Sequence, residues 1–144
     1  MASVFDVAAY ILEKCSPMTT MKLQKLVYYS QAWSLVWDER SLFGEEIQAW
    51  ANGPVCPALY SEHQGMFDIS TADLVSGDPE ELDDSAKETI DMILGYYGTK
   101  SSHWLSELTH KEQPWSDARG TLKPGERGTA VISHAAMAEY YGSL

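Results

Sequence analysis

Apolar residues recur at helical spacing over most of the chain. Val4, Val7, Ala8, Ile11 and Leu12 form an i, i+3, i+4, i+7, i+8 stripe, which predicts an amphipathic helix over residues 3–15 that ends at Ser16-Pro17. The next helix starts at Thr19 or Thr20, either of which is a natural N-cap, and runs to about Asp38. It is apolar on two sides: Leu23, Leu26, Val27, Trp33 and Trp37 fall on one face, and Met21, Tyr28, Ala32 and Leu35 on the other. A helix of that kind belongs at the centre of a fold. Glu46 to Trp50 alternates as a short strand, Asn52-Gly53-Pro54 predicts a turn, and Pro57 opens a short helix through His63 that Gly65 ends. Residues 66–77 read as loop with a few extended residues near Ile69.

Helical spacing returns at Leu82, Ala86, Ile90, Ile93, Leu94 and Tyr97, up to Gly98, with Asp78, Asp83 and Asp84 as alternative caps. Ser101 caps a shorter helix carrying Trp104, Leu105 and Leu108 as far as Thr109-His110, and Pro114-Trp115 then fixes the exit and buries its indole. Residues 120–128 form a glycine-rich surface loop. Ser133 caps a last helix that buries Met137, Tyr140 and Tyr141, with Ile132 and Met137 as a hydrophobic staple. The expected fold is mainly α (α+β): a compact single domain, 1–144, built as a helical bundle around the helix at about 20–38, with a short β element near 46–50.

Two polar residues break the apolar pattern of the central helix. Gln24 and Gln31 lie seven positions apart, on one line between its two apolar faces. Covered amides need partners, because an unpaired buried polar group costs roughly 1–3 kcal/mol. Backbone groups of Ile47 to Trp50, or of the turn at Gly53-Pro54, would supply them; the alternative is a solvent groove between neighbouring elements.

Charge narrows the choice of partner. The net charge of −11 is concentrated in the middle of the chain, with four basic against six acidic residues in 1–60, one against ten in 61–99, and five against five in 100–144. Such a surface repels phosphate backbones, so no direct nucleic-acid binding is expected, and it speeds encounter with a basic partner. No apolar run approaches the roughly 20 residues that span a bilayer, and residues 1–15 lack the basic start of a secretion signal, so a cytoplasmic protein without a membrane role is expected. Cys15 and Cys56 have no Cys-x-x-Cys spacing and the four histidines form no His-x-x-x-His pair, so neither a metal nor another cofactor is expected. Phosphate-loop, nucleophile-elbow and zinc-protease motifs do not occur, and no catalytic residue is assigned.

Three blocks of residues resemble a known family. They are Lys22-Leu23-Gln24-Lys25-Leu26-Val27-Tyr28-Tyr29 with Gln31-Ala32; Leu42-Phe43 with Ile47-Gln48-Ala49-Trp50 and Gly53-Pro54-Val55; and Leu105-Ser106-Glu107-Leu108-Thr109-His110 with Pro114-Trp115. In order and together they resemble the Panacea domain of SocA-like antitoxins and phage-associated GepA-like proteins. The resemblance implies a non-enzymatic antitoxin that neutralises a co-encoded toxin by direct binding. The implied partners are that toxin, encoded next door, and, as in the SocA case, an ATP-dependent protease to which the toxin is delivered.

The candidate partner-binding residues are Gln24, Lys25, Tyr28, Gln31, Trp50, Trp104, His110 and Trp115, together with Asp84, Glu88 and Asp91 on the outer side of the acidic helix. Aromatic anchors would supply affinity and the acids association rate. Two other readings stay open: a phage-associated adaptor that binds a host target, and a small enzyme with a pocket near Gln24, Lys25, Gln31, Thr109 and His110.

Overall fold

The computed structural model describes residues 2–144; Met1, part of the 1–144 unit expected from the sequence, lies outside the described residues. Seven helices, α1 (Val4–Cys15), α2 (Thr20–Trp37), α3 (Pro57–His63), α4 (Asp84–Tyr97), α5 (Ser102–His110), α6 (Gln113–Arg119) and α7 (His134–Gly142), make the fold mainly α. Among the described residues four very short strands complete it: β1 (Met18–Thr19), β2 (Gln48–Trp50), β3 (Gly53–Val55) and β4 (Asp68–Ile69).

As its two apolar faces predict, α2 is the spine, touched by α1, α4, α5, α7 and β3. Thr19 is the N-cap, its hydroxyl accepting the Lys22 N–H at 3.1 Å, and Asp38 closes the C-terminal end. The α1 stripe is fully buried, and each such side chain contributes roughly 1.5–3 kcal/mol relative to exposure. Trp37 departs from the expectation. It is 47% exposed, because the last turn of α2 runs past the core that covers Leu23, Leu26 and Val27.

The β element is a hairpin, with Gln48 opposite Val55 and Trp50 opposite Gly53. Its turn is therefore Ala51-Asn52, while Gly53 and Pro54, expected in the turn, are strand residues. The free edge of β2 receives the chain after the glycine-rich loop: Ala49 N–H donates to Ala130 O and Ile132 N–H to Ile47 O, each at 2.8 Å. Residues 68–69 pair with β1, which gives the extended residues near Ile69 a partner. Asp83 is the cap of α4; Asp78 caps a separate 3-10 turn over Pro79–Glu81. Pro114-Trp115 does more than fix an exit, since Pro114 sits in the first turn of α6, a helix too short for its period to be read from the sequence.

Candidate functional site

The two glutamines of α2 are buried and paired with backbone, though not where the sequence suggested. Gln24 accepts the Cys56 N–H at 2.9 Å and donates to Cys56 O at 3.3 Å. Gln31 accepts the Leu42 N–H at 2.6 Å and donates to Phe43 O at 2.9 Å. The amides thus grip the chain just before and just after the segment carrying the hairpin, instead of Ile47 to Trp50 or the residues Gly53-Pro54.

Beside Gln24 lies a closed polar centre. Because Gln24 Oε1 is engaged with Cys56, its NH2 group faces His63 Nε2 at 2.9 Å, which makes that ring nitrogen an acceptor and the imidazole neutral. Lys25 is wholly buried and its Nζ has no hydrogen-bond partner. Burial brings its pKa down to about 7. His63 and His110 are both held below the usual histidine range, first by burial and further by the neighbouring Lys25. Gly53, at φ +123°, lies against the lysine stem: a β-carbon there would come within 2.5 Å of Lys25 Cε and 3.1 Å of Thr109 Oγ1. Of the pocket expected near Gln24, Lys25, Gln31, Thr109 and His110, Lys25 and Thr109 meet at Gly53, whereas Gln31 lies two turns along α2 against Leu42 and Phe43. Gln24, Lys25, Gln31 and Thr109 are all buried, and the Thr109 hydroxyl donates to Ser106 O at 2.8 Å.

A second buried group stands one turn further along α2. Glu112 accepts the hydroxyls of Tyr29 and Tyr141, both at 2.7 Å. With the Tyr141 proton committed to the carboxylate, Tyr28 donates to Tyr141 across 3.0 Å. Burial raises the Glu112 carboxyl, opposed by the two phenol hydrogen bonds. Nothing in the sequence marked this glutamate, whose partners come from two helices remote in the chain.

The remaining candidates divide between the interior and the surface. Tyr28 and Gln31 are as buried as Gln24 and Lys25, so none of the four offers exposed contact area. Trp50 and Trp115 are half-buried, linked by the Trp115 indole N–H donating to Trp50 O at 2.8 Å. His110 stacks on Trp115 with centroids 4.0 Å apart. Asp84, Glu88, Asp91 and Trp104 are exposed. Asp91 accepts the Tyr10 hydroxyl at 2.8 Å, which ties it to the contact of α4 with α1.

Trp104 faces a groove of about 580 Å³ between α4, α5 and the end of α2. Trp37, Met92 and Tyr96 share it, at 47%, 59% and 65% exposure, and none of these three was singled out as a surface residue from the sequence. A signal was present: Met92 and Tyr96 are apolar yet lie off the buried α4 stripe of Ala86, Ile90, Ile93 and Tyr97. Among the described residues no group of three or more His, Cys, Asp or Glu could hold a metal ion, and no helix is long and apolar enough to cross a membrane.

A family model described as "Antitoxin SocA-like, Panacea domain" matches residues 23–116, from the first turn of α2 into α6. No curated protein and no solved structure matches the chain.

Proposed function

We propose, from the premise that this chain belongs to the antitoxin SocA-like Panacea domain family, that it neutralises a toxin protein by binding it directly. The observation that carries the reading from family to mechanism is the surface of α4. Asp84 and Glu88 stand exposed in the most acidic third of the chain, and neither joins the two ion pairs found among the described residues, Arg40–Asp83 and Lys87–Glu80. Unpaired carboxylates on a helix face attract a basic protein and raise its association rate. The interior favours binding over catalysis, because Lys25 and His63, whose protonation is altered, are both buried.

The mechanism proposed is steric, the domain covering the toxin's working surface. The whole chain acts as one unit, on a toxin encoded beside it. Expression of the adjacent gene alone should arrest growth, and co-expression of this chain should restore it. Asp84→Lys with Glu88→Lys should abolish rescue while the helical circular dichroism is unchanged. A neighbour that is harmless alone, or equally lethal in the presence of this chain, refutes the pairing.

A further inference from the structure

We propose that the groove between α4, α5 and the end of α2 is the docking site for the partner, and that its occupant is a segment with large apolar side chains flanked by lysine or arginine. This rests on the antitoxin reading and names the surface and the chemistry that reading leaves open.

The groove is built for contact. Trp37, Met92, Tyr96 and Trp104 come from three different helices, and Leu144, 73% exposed, adds to its edge. Single exposed apolar residues are ordinary, but several large ones converging on one concavity are the mark of an interaction surface. The floor is rigid. Tyr97 stacks on Tyr29 with centroids 4.3 Å apart and planes 8° from parallel, and its hydroxyl accepts the Trp33 indole N–H at 3.3 Å. A preformed floor loses little freedom when a partner arrives.

Charge selects the occupant. Asp84, Glu88, Met92 and Tyr96 follow one another at i, i+4 spacing along α4, so a single ridge is acidic at its start and apolar at its end. Glu107 is exposed on α5, one turn from Trp104 and next to Leu108, both of which line the groove. Lys100 of the chain itself lies 4.8 Å from the Trp104 ring centroid, so this indole face accepts an ammonium group. A second copy of this chain would bring its own net charge of −11 to the same face, which disfavours self-association and favours a basic partner.

The test uses the full chain, the double variant Met92→Ser/Tyr96→Ser and the single variant Trp104→Ser. All three side chains are exposed, so folding should be retained and is checked by circular dichroism and thermal melting. The probe is a synthetic 16-residue amphipathic peptide with a leucine stripe flanked by lysine and arginine; its scrambled sequence and a glutamate-for-lysine analogue serve as comparisons. Titration followed by tryptophan fluorescence should show saturable binding that weakens with salt. The scramble, the acidic analogue and both variants should each bind at least tenfold more weakly. Equal binding of the scramble, or equal binding by the variants, overturns the proposal, as does absence of peptide binding, with or without a dimer by sedimentation.

The growth assay separates this inference from the reading beneath it. If the unaltered chain rescues and Met92→Ser/Tyr96→Ser rescues equally, the groove proposal falls and the antitoxin reading stands. If the unaltered chain fails to rescue but the peptide binds in the groove, the antitoxin reading falls and the groove stands.

Discussion

Replacing Lys25 with methionine should make the protein more stable, and by an amount that depends on pH. In the folded state the amine is wholly buried without a hydrogen-bond partner, and its pKa falls from 10.5 to about 7. In the unfolded chain it returns to the ordinary value. Below pH 7 both states carry the proton, so the full cost of burying the cation is present. At 1.36 kcal/mol per pKa unit that cost is about 5 kcal/mol. Between pH 7 and 10.5 the unfolded state binds more protons than the folded one, so wild-type stability rises with pH and the cost shrinks, to about 2 kcal/mol at pH 9. Methionine keeps the unbranched stem and removes the charge. Lys25→Met should therefore exceed the wild type by about 4 kcal/mol at pH 7, where the folded amine is half protonated, and the two should converge near pH 10.5. Urea unfolding followed by circular dichroism at half-unit steps from pH 7 to 10.5 measures the difference, and that window lies above the ordinary histidine pKa of 6.5, so most of the titration of His63 and His110 falls outside it. A variant less stable than wild type at pH 7, or a gap that stays constant with pH, would refute the reasoning and show that the amine is satisfied in the fold.

Gln31→Leu should leave the Leu42 N–H and the Phe43 carbonyl buried without partners; a loss of about 2–4 kcal/mol in urea unfolding is expected, and a loss under 1 kcal/mol would mean water takes over the amide's role. Glu112→Gln tests the buried carboxylate. A carboxyl whose folded pKa is raised contributes stability that is fully present below its unfolded pKa and is lost as pH rises through the folded pKa. The stability of Glu112→Gln relative to wild type should thus improve between pH 4 and 7, and a difference independent of pH would place the net shift of Glu112 at zero.

The sequence displayed the frame of this fold because burial of a helix face writes a period into the chain. The stripe from Val4 to Leu12, the caps at Thr19, Ser101 and Ser133, and the two apolar faces of α2 all translate into structure. Two things did not show. Lysine is a surface residue by habit, and Lys25 is buried only because β3 and α5 close over a helix that is already covered on its other sides. The groove is equally silent, since Trp37 and Trp104 sit at positions that helical spacing assigns to a core, and their exposure follows from where α2 ends and how α5 is set against α4. Periodicity reports which side of a helix is apolar. It carries no information on whether another element arrives to cover it.

The paired glutamines of α2 have one more consequence. Seven residues of helix span roughly 10 Å, so Gln24 and Gln31 fix the separation of Cys56 from Leu42 and Phe43 as a ruler would. The loop between those points is closed by side chains of a single rigid element, which removes most of the closure entropy that a segment of this length would otherwise retain. Amide hydrogen exchange should register the arrangement: the Leu42 and Cys56 amides open only when the spine itself unfolds, while the tip at Ala51-Asn52 exchanges on its own. Mutations at Ala51 and Asn52 can then accumulate without moving the two ends, so sequence can drift at the tip while the architecture stays in register.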